Sequence, residues 1–131
     1  MNLIEIIARR HTNTILDTLS ALGVDWTIRA NQWQDLFDTG EARDLFSRPM
    51  SEDAAAEALW RDLRHDLEAA WLQSLTRDRA LAIGNSIGAL PYATVELCAD
   101  VKVPAIEVPA RWNKAHPDEK PIYRNDENML P

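Results

Sequence analysis

Gly84, Asn85, Ser86, Ile87 and Gly88 have the GxSxG spacing of a nucleophile elbow, in which a serine on a sharp strand-to-helix bend attacks an acyl carbon. Asp100 and His116 follow it, in one of the chain orders that a Ser, Asp, His triad takes. The bend exposes the hydroxyl and aims backbone donors at the oxyanion, so the chemistry needs a strand running in and a helix running out. Leu81, Ala82 and Ile83 instead read as part of a helix that starts near Thr76 and ends at Gly84 or Gly88, and Pro91 interrupts any continuation. His116 stands in a polar stretch, and too few segments alternate like strands to build the parallel sheet that positions an elbow. No catalytic residue is therefore assigned. Ala80, Gly84 and Gly88, four residues apart, predict a helix face bare enough for close packing. A small serine hydrolase using residues 84–88 remains the alternative.

Asp62 and His65 are a second candidate pair, because a carboxylate and an imidazole three residues apart share one side of a helix, as in half of a di-metal carboxylate site. The matching half is missing, and Glu57 to Arg61 and Arg64 to Glu68 are spaced as helical ion pairs, so a solvated face explains the segment without a metal. No phosphate loop, zinc signature or other cofactor motif appears, and neither a metal nor a cofactor is assigned. His11 falls on an apolar helix stripe and reads as a core or boundary histidine. The one cysteine, Cys98, reads as a buried thiol and points to a reducing, cytoplasmic setting. The amino-terminal apolar run precedes Arg9 and Arg10, the reverse of an export signal, and no stretch is apolar for long enough to span a membrane.

Charge is the most uneven property of the chain. The net charge of −7 is concentrated between Asp35 and Glu68, where ten acids meet four arginines. Such a surface repels phosphate backbones and attracts basic proteins, which disfavours direct nucleic-acid binding. The partner-binding residues expected on this ground are Asp35, Asp38, Glu41, Asp44, Glu57, Asp62 and Asp66. The competing explanation for the same charge is solubility.

These residues must be carried by elements that the sequence also suggests. Asn2 caps a first helix, with Glu5 at capping-box spacing and Ile4, Ile7, His11, Ile15, Leu19 and Leu22 along one stripe; an irregularity is expected at Thr12-Asn13-Thr14 and a stop at Gly23. Residues 24–29 alternate Val24, Trp26 and Ile28 with polar residues and predict a short strand. Asp-Leu-Phe occurs twice, at 35–37 and 44–46. A helix ending at Gly40 and another starting near Glu41 would turn both apolar pairs to one core, while paired docking motifs are the functional alternative. Ser51 caps the longest helix, to about Leu75, with Ala56, Leu59, Trp60, Leu63, Leu67, Ala70 and Trp71 in one sector and a small-residue face at Ala55, Ala58 and Ala69. Residues 94–103 alternate as a strand, with a helix begun by Pro91 as the competitor, and 104–109 suggest a further edge segment.

The chain of 131 residues is thus expected to be an α+β protein, mainly helical, with one globular domain over 1–110, a small two- or three-stranded sheet joining 24–29 to 94–108, and a polar C-terminal arm or tail over 111–131, with Trp112, Ile122 and Tyr123 as the side chains that could pin it. The function expected is a non-catalytic acidic protein-binding module, an inhibitor or regulator docking on the basic, nucleic-acid-binding surface of a partner protein. Abundant arginine and alanine suggest a phage or bacterial gene. A structural subunit of a larger assembly is a further alternative, and self-association is left open.

Overall fold

The computed structural model describes residues 2–11, 14–86 and 93–123. The described residues form six α-helices and one two-stranded antiparallel sheet, the mainly helical α+β class that the sequence suggests. Packing divides the chain into two compact units, Met1–Leu67 and Glu68–Pro131, with the division falling inside the longest helix.

In the first unit, α1 (Leu3–Arg10) starts where the Asn2 side chain accepts from the Ile4 N–H at 2.8 Å. The single long stripe drawn through Ile4 and His11 does not survive, because His11 takes an extended backbone and ends the helix. Helix α2 (Thr14–Ala21) restarts beyond it, so Leu3, Ile6 and Ile7 and then Ile15, Leu16 and Leu19 are the buried sets. Gly23 closes α2 at φ +81°, and the Val24 N–H reaches back to the Leu19 carbonyl at 2.9 Å.

The strand expected over 24–29 is a helix instead. Asp25 accepts from the Thr27 N–H at 3.1 Å and caps α3 (Trp26–Asp38), which carries the backbone into helical geometry within one residue of the presumed alternation. Ile28, assigned to a buried strand face, is 59% exposed. Gly40 ends α3 at φ +74°, as its position suggests. The second helix expected from Glu41 does not form; residues 41–50 make a pinned turn, so Leu45 and Phe46 do not face a core and only Ala42 of the predicted set is buried.

Helix α4 (Glu52–Ser74) matches the expectation closely: the Ser51 hydroxyl accepts from Ala54 N–H at 3.1 Å, and Ala56, Leu59, Leu63 and Leu67 are buried along the predicted sector. Trp60 is half-buried and stacks on His11, centroids 3.7 Å apart, which accounts for the boundary histidine. Ala55 and Ala58 are also buried and Ala69 is exposed, so most of the small-residue face is already covered.

In the second unit, Thr76 Oγ1 accepts from the Arg79 N–H at 3.2 Å and opens α5 (Arg77–Ser86). The expected single strand over 94–103 is a hairpin, β1 (Thr94–Cys98) and β2 (Val101–Pro104), turning at Ala99-Asp100 with an irregularity between Glu96 and Cys98. The sheet therefore does not join 24–29 to this region. Residues 104–109 add no edge strand: a 3-10 turn (Ala105–Glu107) leads into α6 (Val108–Ala115), whose first turn accepts Pro109 because no amide hydrogen is needed there. Helix α6 crosses the boundary drawn at 110/111, and residues 111–123 are pinned through Trp112 and Ile122. Trp112 is 1% and Ile122 2% exposed, and Asn113 holds Ile122 by two hydrogen bonds, accepting from its N–H at 2.8 Å and donating to its carbonyl at 2.7 Å. These join Ala80, Ile83, Val103, Ala105 and Val108 in one apolar cluster. Gly88 and Pro91 lie outside the described residues.

Candidate partner-binding site

Residues 41–50 put on the surface what the sequence assigns to a core. Leu45 is 99% and Phe46 76% exposed. They sit at the tip of a turn that the chain pins from several directions. The Asp44 carboxylate accepts from the backbone N–H of Phe46 at 2.8 Å and of Arg48 at 3.0 Å, and from Arg48 Nε at 3.1 Å. Ser47 occupies the left-handed region at φ +61°, and its carbonyl accepts from Arg43 at 3.2 Å. Below the tip, Arg43 and Pro49 pair as an antiparallel bridge, Met50 N–H donates to Ala42, and Ala42 N–H donates to Leu36 at the end of α3. The Arg48 guanidinium lies 5.0 Å over the Phe46 ring. A short acidic side chain closing a loop on its own backbone is the Asx-turn device.

The same contacts hold the Asp44 carboxyl below the usual carboxylate range, first through the Arg48 backbone N–H and then through that of Phe46 and the Arg48 guanidinium, against some desolvation. A depressed folded-state value means that this stabilisation is complete above the ordinary value of 3.8 and is lost as pH falls below it. The Phe46 and Arg48 amide resonances are therefore expected to stay fixed from neutral pH down to mild acid and to move together below that value. Asp44→Ala should remove this ordering at neutral pH as well, with Leu45 and Phe46 still present, so the Phe46 and Arg48 amide resonances lose their native positions across the whole pH range.

Four of the six large apolar side chains that stand exposed among the described residues, Ile28, Leu36, Leu45 and Phe46, fall on α3 and this turn. Scattered singly, exposed apolar side chains need no explanation, but Leu45 and Phe46 are adjacent at one tip and make a candidate contact point. The seven acids singled out by charge do not form one free surface. Asp44 serves the turn; Glu57 accepts from Arg10 at 2.9 Å; Asp62 accepts from Trp33 Nε1 at 2.7 Å; Asp66 takes Arg29 in a two-pronged pair at 2.8 and 3.0 Å. Arg10 and Arg29 lie outside the 35–68 segment, so its charge is partly neutralised by the fold. Asp38 accepts from Gln34 at 3.0 Å, and Asp35 and Glu41 are exposed with no side-chain partner among the described residues. Asp62 and Asp66 are thus positioning groups for α3 against α4. Arg29→Ala is expected to cost about 1 kcal/mol in a denaturant titration, because both partners are partly solvated.

The hydrolase alternative meets a different arrangement. The backbone entering Ser86 is that of α5, so the segment lacks the strand that an elbow needs before its serine. His116 caps α6, stacks on Trp112 and directs Nδ1 to the Trp112 carbonyl at 2.9 Å. A carbonyl can only accept, so Nδ1 carries the hydrogen there, and the nitrogen that a triad would turn to its aspartate is committed to the backbone.

Charge points to the 35–68 segment but not to Leu45 and Phe46, which helical spacing assigns to a core and only the docking-motif alternative leaves exposed. Asp44 followed by Ser47 and Pro49 is a turn signal in its own right, and it outweighed the helical spacing of the apolar residues. No helix among the described residues is long and apolar enough to cross a membrane. No protein-family model, curated protein or solved structure matches this chain.

Proposed function

We propose that the protein is a non-catalytic protein-binding module that acts as an inhibitor or regulator and docks through α3 and the Asp44–Arg48 turn. The observation that carries this reading is the adjacent pair Leu45 and Phe46, 99% and 76% exposed on a turn held by the Asp44 carboxylate. An exposed aromatic with a leucine beside it, held rigid, has the character of an interface anchor that fills a pocket on a partner. Asp35, Asp38 and Glu41 are the exposed acids of the same segment and favour a partner whose pocket adjoins a basic surface, such as a protein's nucleic-acid-binding groove. The chain itself is not read as contacting nucleic acid, since its acids repel phosphate. A reducing, cytoplasmic setting belongs to this reading, supported by the buried free thiol of Cys98. The arginine- and alanine-rich composition supports a phage or bacterial origin.

Affinity capture from a bacterial lysate at low and moderate salt tests the reading. A basic protein should be recovered, its capture falling as salt rises, and Asp35→Lys with Glu41→Lys should weaken it several-fold. Asp62 and Asp66 are unsuitable for charge reversal because Trp33 and Arg29 depend on them. Capture that ignores both salt and the reversed acids would remove the electrostatic part of the proposal.

A further inference from the structure

The second unit holds a cleft of about 510 Å³ whose walls are a strand edge on one side and the end of α4 with α5 on the other. Its size falls in the range of sites that take ligands, roughly 300–1,000 Å³. The strand edge is β1. The Ala105 N–H donates to the Ala93 carbonyl at 3.0 Å, and these two residues stand directly opposite in the register that pairs Thr94 with Pro104, Val95 with Val103 and Glu96 with Lys102. Antiparallel ladders alternate between hydrogen-bonded and non-bonded pairs. Val95 and Val103 are therefore bonded, whereas Thr94 and Glu96 turn their N–H and C=O groups away from β2 and toward the cleft. Pro104 obeys the same alternation, since it sits in a non-bonded pair where its missing hydrogen is not needed.

Burial falls off across the hairpin in the same direction. Val101 and Val103 of β2 are fully covered, while Val95 and Leu97 of β1, on the face that packs against the same core, are only half-buried. Trp71, Leu75 and Ile83 line the cleft together with Thr94, Val95 and Glu96, so an apolar helical wall stands beside the outer edge of β1. Two strands alone make a marginal sheet. The space left over is where a third strand would lie, with its alternate side chains against Trp71, Leu75 and Ile83. Two charges of opposite sign, Arg79 on α5 and Glu96 on β1, line the cleft without an ion-pair partner among the described residues.

We infer that this cleft is a strand-addition site for an extended segment of a partner polypeptide, apolar at alternate positions, basic beside Glu96 and carrying a carboxylate toward Arg79. Only an extended backbone satisfies the donors and acceptors of Thr94 and Glu96 together, and side chains at every second residue then enter the apolar wall. The cleft is walled on its far side by Trp71, Leu75 and α5, so it has room for a single extended strand and not for a second hairpin with its helices. The site is independent of the turn at Asp44–Arg48.

The probe is acetyl-Lys-Val-Thr-Val-Ser-Val with a free carboxyl terminus, and its carboxyl amide, titrated into the ¹⁵N-labelled full chain. The expected result is slowed exchange of the Thr94 and Glu96 amides with shifts at Trp71 and Ile83, and binding about tenfold weaker for the amide or for Arg79→Gln. Glu96→Pro removes an outward donor and leaves the bonds to β2 intact, and it should abolish binding with an unchanged melting curve. Ala82→Trp, at an exposed helical position on the cleft wall, should block binding by filling the space; it keeps the test decisive if the proline variant unfolds. Perturbations elsewhere, no binding, or full binding by the folded Glu96→Pro or Ala82→Trp proteins would overturn the inference. So would a concentration-dependent dimer lost in those variants, which would make a second copy the occupant.

Discussion

Replacing Leu45 and Phe46 together by Asp is expected to abolish capture of the partner while leaving the fold almost untouched. Each side chain is an anchor candidate, and truncating an anchor costs about 2 kcal/mol or more, roughly a thirtyfold loss in affinity apiece. Neither contributes much to folding: both are solvated, and the turn is held by the Asp44 carboxylate and the backbone amides, which the substitutions leave in place. Thermal unfolding of the double variant should therefore stay within about 0.5 kcal/mol of the parent. Isothermal titration with the captured partner separates the two quantities. Leu36→Asp, near the end of α3, should weaken binding less, because that side chain is only 36% exposed.

The largest effect on stability should come from Trp112→Ala. The indole is 1% exposed, donates from Nε1 to the Leu75 carbonyl at 3.0 Å, and packs in the cluster formed by Ala80, Ile83, Val103, Val108 and Ile122. Truncation removes apolar burial, leaves a cavity, and strands a carbonyl at the end of α4, for about 3–5 kcal/mol. That is a large part of the 5–15 kcal/mol that holds an ordinary protein of this size, and the melting temperature should fall by about 10–20 °C. Trp112→Phe keeps most of the packing and loses the hydrogen bond, so about 1–2 kcal/mol is expected. Ile122→Ala should reproduce part of the loss, because Asn113 pins that residue over the cluster and makes 111–123 part of the unit.

Long-period features were legible in the sequence, and short ones were not. Helix α4 shows its cap at Ser51 and its buried face at Leu59, Leu63 and Leu67 because twenty or so residues repeat the helical period. The stops at Gly23 and Gly40 were legible because a left-handed residue needs glycine. Residues 24–29 misled because six residues of alternation weigh less than one capping carboxylate at Asp25. The two Asp-Leu-Phe triplets show the limit most directly: 35–37 are helical, whereas 44–46 form a turn, since Asp44 finds the amides of Phe46 and Arg48 and Pro49 bars a helical continuation. The hairpin at 94–104 kept its alternation through the turn at Ala99-Asp100, so one strand and two look alike by period alone. For the candidate site, net charge singled out the 35–68 segment, whereas the exposure of Leu45 and Phe46 depended on the turn. The pairing of Asp62 and Asp66 with α3 was invisible, because Trp33 and Arg29 stand about thirty residues away in sequence.

Placing a photo-cross-linking phenylalanine analogue at position 46 tests the central claim most directly, with the same group at the exposed Asp118 in the second unit as the comparison. A single cross-linked partner from position 46, absent from position 118 and competed away by unlabelled protein, is the result the account predicts. Equal labelling from both positions, or a discrete adduct from position 118 alone, would contradict it.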